Sequence, residues 1–270
     1  RLCAGEFIAK QNEEMTRLLK CTKRYQDIEI KYIRNVHDKL NTIQFFAITF
    51  IIPNYHPFIC FRGTDLTLVG WKEDLMLAVH DVVPSQIEAL NYVNYISERV
   101  TGPFSIAGHS KGGNLTMFAS IHANSNIQNR LDKAYVFDGP GFRDSKIFAT
   151  DKYLRVKDKI IQFVPKDDIV GAIFFTPKDK FIVKSRSVHF LQHNPYFWYI
   201  NRKGDFKYVK KESVIVKIRR RTMILWVNSL NLEECEFMID KIVNSLGGIE
   251  SNLSYRFNLI LIKFKNFIHR

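Results

Sequence analysis

The sequence is short of cysteine, of acidic charge and of long apolar runs, and each shortage closes off a class of protein. Its 4 cysteines, Cys3, Cys21, Cys60 and Cys235, are too scattered to form a CxxC pair. That excludes a zinc ribbon or a small disulfide scaffold, and free, mostly buried thiols in a reducing compartment are expected. The longest strongly apolar run is FFAITFII at 45–52. It falls far short of the roughly 20 residues that cross a bilayer, so no transmembrane helix is expected. The opening RLCAGEFIAK has no signal-peptide apolar core, although a start at Arg1 rather than Met leaves room for a lost leader. A cytoplasmic protein is the expectation. There is no internal repeat and no low-complexity segment.

What is present is core-forming. The chain has 270 residues, of which 46% are hydrophobic and 13% aromatic, ample for a packed interior and contrary to disorder. Net charge is +13, from 40 Lys and Arg against 27 Asp and Glu. Such an excess suits anionic lipid or nucleic acid. The cations are spread along the chain, however, with one tight cluster, KIRRR at 217–221. A solvated basic surface is the plainer reading, peripheral contact with an anionic membrane the sharper one. No nucleic-acid module is recognisable and no nucleic-acid partner is expected.

Strand-like runs recur at 43–51, 57–61, 104–107, 133–137, 160–164 and 180–184, rich in Phe, Ile and Val and bounded by turn residues. Between them PSQIEALNYVNYISERV places Ala89, Val93, Ile96 and Val100 near helical spacing, with Pro84 in the first turn. A second helix is expected after residue 110, with Leu115, Phe118, Ala119 and His122 on one face. Alternating strands and helices with nearly continuous apolar strands predict an α/β fold with a mostly parallel sheet. The last third reads as appended packing helices over 222–246 and 249–268. Asn231 and Glu234 stand at capping-box spacing, Cys235, Ile239, Ile242 and Leu246 form a stripe, and Gly247 can close the helix. One domain spanning 1–270 is expected, with a core at about 25–205 and a helical extension at about 206–270.

The string that names a chemistry is Gly108-His109-Ser110-Lys111-Gly112, with an apolar strand before it and a helical pattern after it. A G-x-S-x-G string is a weak signal alone, but in that setting it is the pattern expected of a nucleophile elbow, the alternative being a glycine-rich strand–helix turn with an inert serine. The sharp turn lifts the Ser110 hydroxyl above the sheet edge, and the two glycines remove side chains that would clash. The N–H of Lys111, at a helix N-terminus, is placed to stabilise an oxyanion. The Lys111 side chain could favour an anionic acyl substrate, but a place on the helix surface is preferred, as for most lysines.

The acid and the base should follow in chain order. KIIQFVPKDDIVG offers Asp167 and Asp168 in a loop after a strand, and either can orient a histidine. Asp138 is second choice, its preferred role being turn chemistry in DGPG. Among later histidines, His269 reads as a surface residue and His189 as a packed or edge-strand residue in a β-like segment. His193, in LQHNPYFW, has the loop surroundings of a base reaching over a sheet edge.

Taken together, FICFRGTDLTLVGWKEDL at 58–75, AGHSKGGNL and QHNPYFW resemble a bacterial family of lipase-like α/β-hydrolases, related in pattern to the fungal-type class 3 lipases. The resemblance runs from about Tyr25 to Trp226. It implies Ser110 as nucleophile, Asp168 as acid, His193 as base, and the backbone of Thr64 and Lys111 as oxyanion donors. A W-x-x-D segment follows as Trp71 to Asp74. Gly171 departs from the pattern, which usually has Pro after D-I-V. The expected activity is a serine hydrolase cleaving carboxylic esters, of lipids or other acyl groups, through an acyl-enzyme and without metal or organic cofactor. The alternative is a non-catalytic module of the same fold, binding anionic lipid or a protein through its basic surface. The apolar loops at 173–181 and 194–200 are candidate walls of an acyl pocket.

Overall fold

The structure, a computed structural model, describes residues 9–65 and 67–245. After helix α1 (Ala9–Cys21), eight strands form one sheet in chain order. They are β1 (Glu29–Asp38), β2 (Ile43–Ile51), β3 (Phe58–Phe61), β4 (Phe104–His109), β5 (Leu131–Phe137), β6 (Ile160–Pro165), β7 (Phe181–Val183) and β8 (Tyr208–Val209). The pairings from β3 through β7 are parallel, whereas β1–β2, β2–β3 and β7–β8 are antiparallel. Parallel neighbours need long crossovers, and helices supply them. Helices α2 (Leu68–Met76) and α3 (Pro84–Ser97) lie between β3 and β4. Helices α4 (Lys111–His122) and α5 (Ser125–Arg130) lie between β4 and β5, and α6 (Asp151–Val156) between β5 and β6. This is the α/β-hydrolase fold expected of the sequence.

Every strand-like run corresponds to a strand. The sequence reading missed β1, β8, α1, α2, α5 and α6. β1 is an edge strand with most of its residues exposed, so it lacks the alternation that marks a half-buried strand. Its register slips between Lys31 and Arg34, and Arg34 pairs with Glu88 of α3 at 2.6 Å. The predicted amphipathic face of α4 is a helix buried all round from Lys111 to Ile121. It packs between α3, α6 and the strands β4 and β5, so no side of it is left to be polar.

The main core lies between the sheet and α3–α4, with Phe45, Ile59, Tyr92, Ile96, Phe104, Leu115 and Met117 among its members. The other face of the sheet carries stacked rings, one pair reaching from β3 to β5 and two joining adjacent strands. Phe58 lies 6.0 Å from Tyr135, Phe137 5.3 Å from Phe163, and Phe163 5.5 Å from Phe181.

Helices α7 (Val214–Ser229) and α8 (Leu232–Ser245) complete the described chain. The capping box of α8 is formed: Asn231 N donates to Glu234 at 2.9 Å, and Glu234 N to the Asn231 side chain at 2.9 Å. Cys235, Ile239 and Val243 bury against Val79 and the end of α2, whereas Ile242, placed in the stripe by the sequence, is 38% exposed. Leu246, Gly247 and 249–268 lie outside the described residues, as does Cys3. Cys21 is exposed, contrary to the expectation of mostly buried thiols, Cys60 is half-buried and Cys235 buried; all are free. Among the described residues no helix is long and apolar enough to cross a membrane.

Candidate active site

β4 ends at His109 and α4 begins at Lys111, leaving Ser110 as the whole turn. Its backbone sits at φ 58°, ψ −128°, a conformation that costs a non-glycine residue about 1–3 kcal/mol. The turn closes because Gly108 and Gly112 meet: a Cβ on Gly108 would lie 2.1 Å from the Gly112 carbonyl oxygen. Ser110 N donates to Phe137 O at 3.0 Å, and the Ser110 carbonyl accepts from Gly113 N at 2.8 Å. Strain is thus held by hydrogen bonds on both sides of the residue that would react.

His193 lies on a short 3-10 helix, His189–His193, which replaces the β-like segment expected there. Trp198 pins this loop by donating from Nε1 to Gln192 O at 2.7 Å. His109, next to the serine, bonds through Nε2 to the His193 carbonyl at 2.8 Å, and the two rings stand 4.5 Å apart. Burial, with the nearby His193 charge, depresses His109 to about 3. It is therefore neutral and donates that bond, tying the His193 loop to the end of β4.

Two buried carboxyls face the same imidazole nitrogen. Asp138 Oδ2 is 2.8 Å from His193 Nδ1, and Asp168 Oδ2 is 3.6 Å from it. Asp138 follows β5 with φ 49°, and its Oδ1 accepts from Gly171 N at 3.1 Å. Asp168 follows β6, and its Oδ2 accepts from Val170 N at 2.8 Å while Oδ1 has no protein partner. The turn role preferred for Asp138 is thus replaced by a direct bond to the candidate base. Asp167 turns away and bonds to Gln192 instead. Gly171 explains its own departure from the lipase pattern. Its N–H is spent on Asp138, and a Cβ there would stand 2.1 Å from Asp138 Oδ1. Proline could supply neither the hydrogen nor the space.

The charges follow from this packing. Burial pushes Asp138 well above the usual carboxylate range, and Asp168 adds to the shift against the pull of His193. For Asp168, burial is outweighed by bonds to His193, Asp138 and Val170 N, and its carboxyl is lowered. Burial would lower His193, but the two aspartates reverse this and raise it to about 10. Asp138, Asp168 and His193 also hold ligand atoms within 4.8 Å of one another, so these are the residues that could hold a cation.

The other side of Ser110 is the loop after β3. A Cβ on Gly63 would lie 3.3 Å from Ser110 Cβ, which brings this loop against the elbow. Thr64 donates from Oγ1 to Asp74 Oδ2 at 2.5 Å. Burial raises Asp74 to about 6, against the opposing effects of Lys111 and Thr64. The preferred surface position of Lys111 is wrong. The side chain is 1% exposed, and Nζ donates to Gln44 O at 2.8 Å, Gln44 Oε1 at 2.7 Å and Glu73 Oε2 at 3.0 Å. Three donors meet three acceptors, which is what makes a buried ammonium tolerable. Glu73, Gln44 and His109 are the site-shaping residues that sequence reasoning missed. Spacing carries no signal for them, since their partners are distant in the chain.

An apolar trough of about 560 Å³ opens on the sheet face beside His109, lined by Phe58, Cys60, Tyr135 and Phe137 among others. The loops at 173–181 and 194–200 do not line it.

Among solved structures, the chain is similar to the M37 lipase at 16% identity over 83% of this chain and 76% of that one, with a TM-score of 0.47. The Rhizomucor miehei lipase in its propeptide complex shares 14% identity over 64% of this chain and 68% of the other, with a TM-score of 0.42. No curated protein sequence matches the chain. The sequence profile of the Mbeg1-like family matches residues 19–244. With that span covering nearly all of the described fold, elbow and histidine loop included, the chain belongs to the Mbeg1-like family.

Proposed function

We propose that the protein is a serine hydrolase acting on carboxylic esters with an apolar acyl group. The observation that carries this is the strained Ser110 turn, tied through His109 to the loop of an imidazole that bears a buried carboxyl at 2.8 Å. Ser110 Oγ attacks the ester carbonyl as His193 takes its proton, and the C=O electrons collect on the oxyanion. The N–H groups of Thr64 and Lys111 receive that charge. Collapse expels the alcohol, protonated by His193, and leaves an acyl-serine. Water then attacks with His193 again as base, releasing the acid and free Ser110. Asp138 is the better-placed orienting acid, with Asp168 beside it. The trough next to His109 suits an acyl chain.

The test is labelling by a fluorophosphonate, mapped by peptide mass, on wild type, Ser110→Ala and His193→Ala. One adduct on Ser110, absent from both variants, is the expected result. A folded wild type that takes no label, or labelling that survives Ser110→Ala, rejects the assignment.

A further inference from the structure

Two features have no part in those hydrolytic steps: the buried ammonium that follows the nucleophile, and the acidic pair Glu73–Asp74 of the W-x-x-D helix. Both bear on the oxyanion hole. Its two proposed donors come from separate parts of the chain, Thr64 in an irregular stretch after β3 and Lys111 at the start of α4. Donors must sit within a few tenths of an ångström of their working positions to stabilise an oxyanion. An irregular loop cannot supply that by itself.

We infer that the buried Lys111–Glu73 ion pair, with Gln44, is the positioning device that fixes the two oxyanion donors relative to each other; this rests on the hydrolytic reading above. Gln44 Oε1 is the shared acceptor. It receives the Lys111 ammonium at 2.7 Å from one side and the N–H of Asp65, the neighbour of Thr64, at 3.4 Å from the other. Glu73 takes the same ammonium at 3.0 Å, the N–H of Gln44 at 3.0 Å and the N–H of Ser85 in the first turn of α3 at 2.8 Å. It thereby locks α2 to β2, α3 and α4. The next residue on that locked helix is Asp74, whose carboxylate holds Thr64 Oγ1 at 2.5 Å. Gly70 of α2 packs the contact closed, since a Cβ there would lie 2.9 Å from Thr64 Cγ2 and 3.0 Å from Gln44 Oε1. Both donor-bearing residues are thus anchored to one buried network, and loosening it shifts one donor against the other. An ion pair serving stability alone has no need of such wiring, because apolar residues of similar volume replace buried pairs without loss in many proteins.

That difference defines the experiment. Wild type, Lys111→Met, Glu73→Gln and the double variant Lys111→Met/Glu73→Leu are compared as the full chain. The readouts are kcat and KM on a short-chain p-nitrophenyl ester, inhibition by an alkylboronic acid that forms a tetrahedral adduct with serine, and thermal unfolding. Each single variant is expected to lose about 100-fold or more in kcat with KM changed less than about threefold, and to bind the boronic acid correspondingly more weakly. The double variant, free of an orphaned charge, is expected to recover Tm but not kcat. Recovery of both in the double variant, or single variants that keep full kcat, overturns the inference. Should a single variant fail to fold, the double variant decides. Fluorophosphonate labelling of wild-type Ser110 separates the levels: no label rejects the hydrolytic reading and this inference with it, whereas a labelled wild type with unaffected variants rejects the positioning role alone.

Discussion

His193 lies between two buried acids, and in the proposed mechanism its charge state governs when Ser110 can be activated. With its pKa raised to about 10, the imidazole is protonated across neutral pH and its basic form grows as pH rises. Ester turnover should therefore climb with pH up to an alkaline limb near that value, and Asp168→Asn, which removes one of the two acids, should move the limb to lower pH. A pH–rate profile of both proteins checks this. Stability runs the other way. A histidine raised above its ordinary 6.5 stabilises the fold fully below about pH 6.5, and that contribution is lost as pH rises through about 10. The fall in Tm over that window should flatten in His193→Ala. Asp138→Asn should cost about 10³–10⁴ in kcat, by analogy with other triads, and more than Asp168→Asn. Equal losses in steady-state kinetics would mean that neither acid alone orients the imidazole. Gly171→Ala should reproduce part of the Asp138→Asn defect, since its Cβ would occupy the space of Oδ1.

Among elements, what was legible depended on burial. The central strands announced themselves because parallel strands covered on both sides are continuous apolar runs, and the elbow because its glycines and serine are adjacent in the chain. β1 was not legible, since an exposed edge leaves no pattern. The burial of Lys111 was invisible for another reason. Its acceptors lie in β2 and α2, and a lysine read from sequence alone is most economically placed on the surface. Asp138 was read as a turn residue because DGPG is also good turn chemistry, and only the fold brings His193 to it. The capping box of α8, by contrast, is wholly local and was readable. Asn231→Ala should cost about 1 kcal/mol in chemical denaturation. Because α8 buries against the end of α2, Ile239→Ala, at about 2–4 kcal/mol, should lower stability and kcat together if α2 positions Thr64.

On the scale of the molecule, charge and sheet architecture meet at the edge formed by β1. Among the described residues the 10-residue strand β1 pairs with one strand, β2, and lies at the edge of the sheet, an arrangement that invites a second sheet to add on. Glu29, Lys31, Arg34, His37 and Asp38 populate it, and the slip between Lys31 and Arg34 breaks its regularity. A neighbouring strand would have to desolvate those charges and find a register across the irregular stretch. The edge is therefore a guard against amyloid-like stacking, bought with the very irregularity that hides the strand from sequence patterning. Neutralising it with Lys31→Val and Arg34→Val should leave the candidate active site intact while shifting the protein to higher oligomers in light scattering.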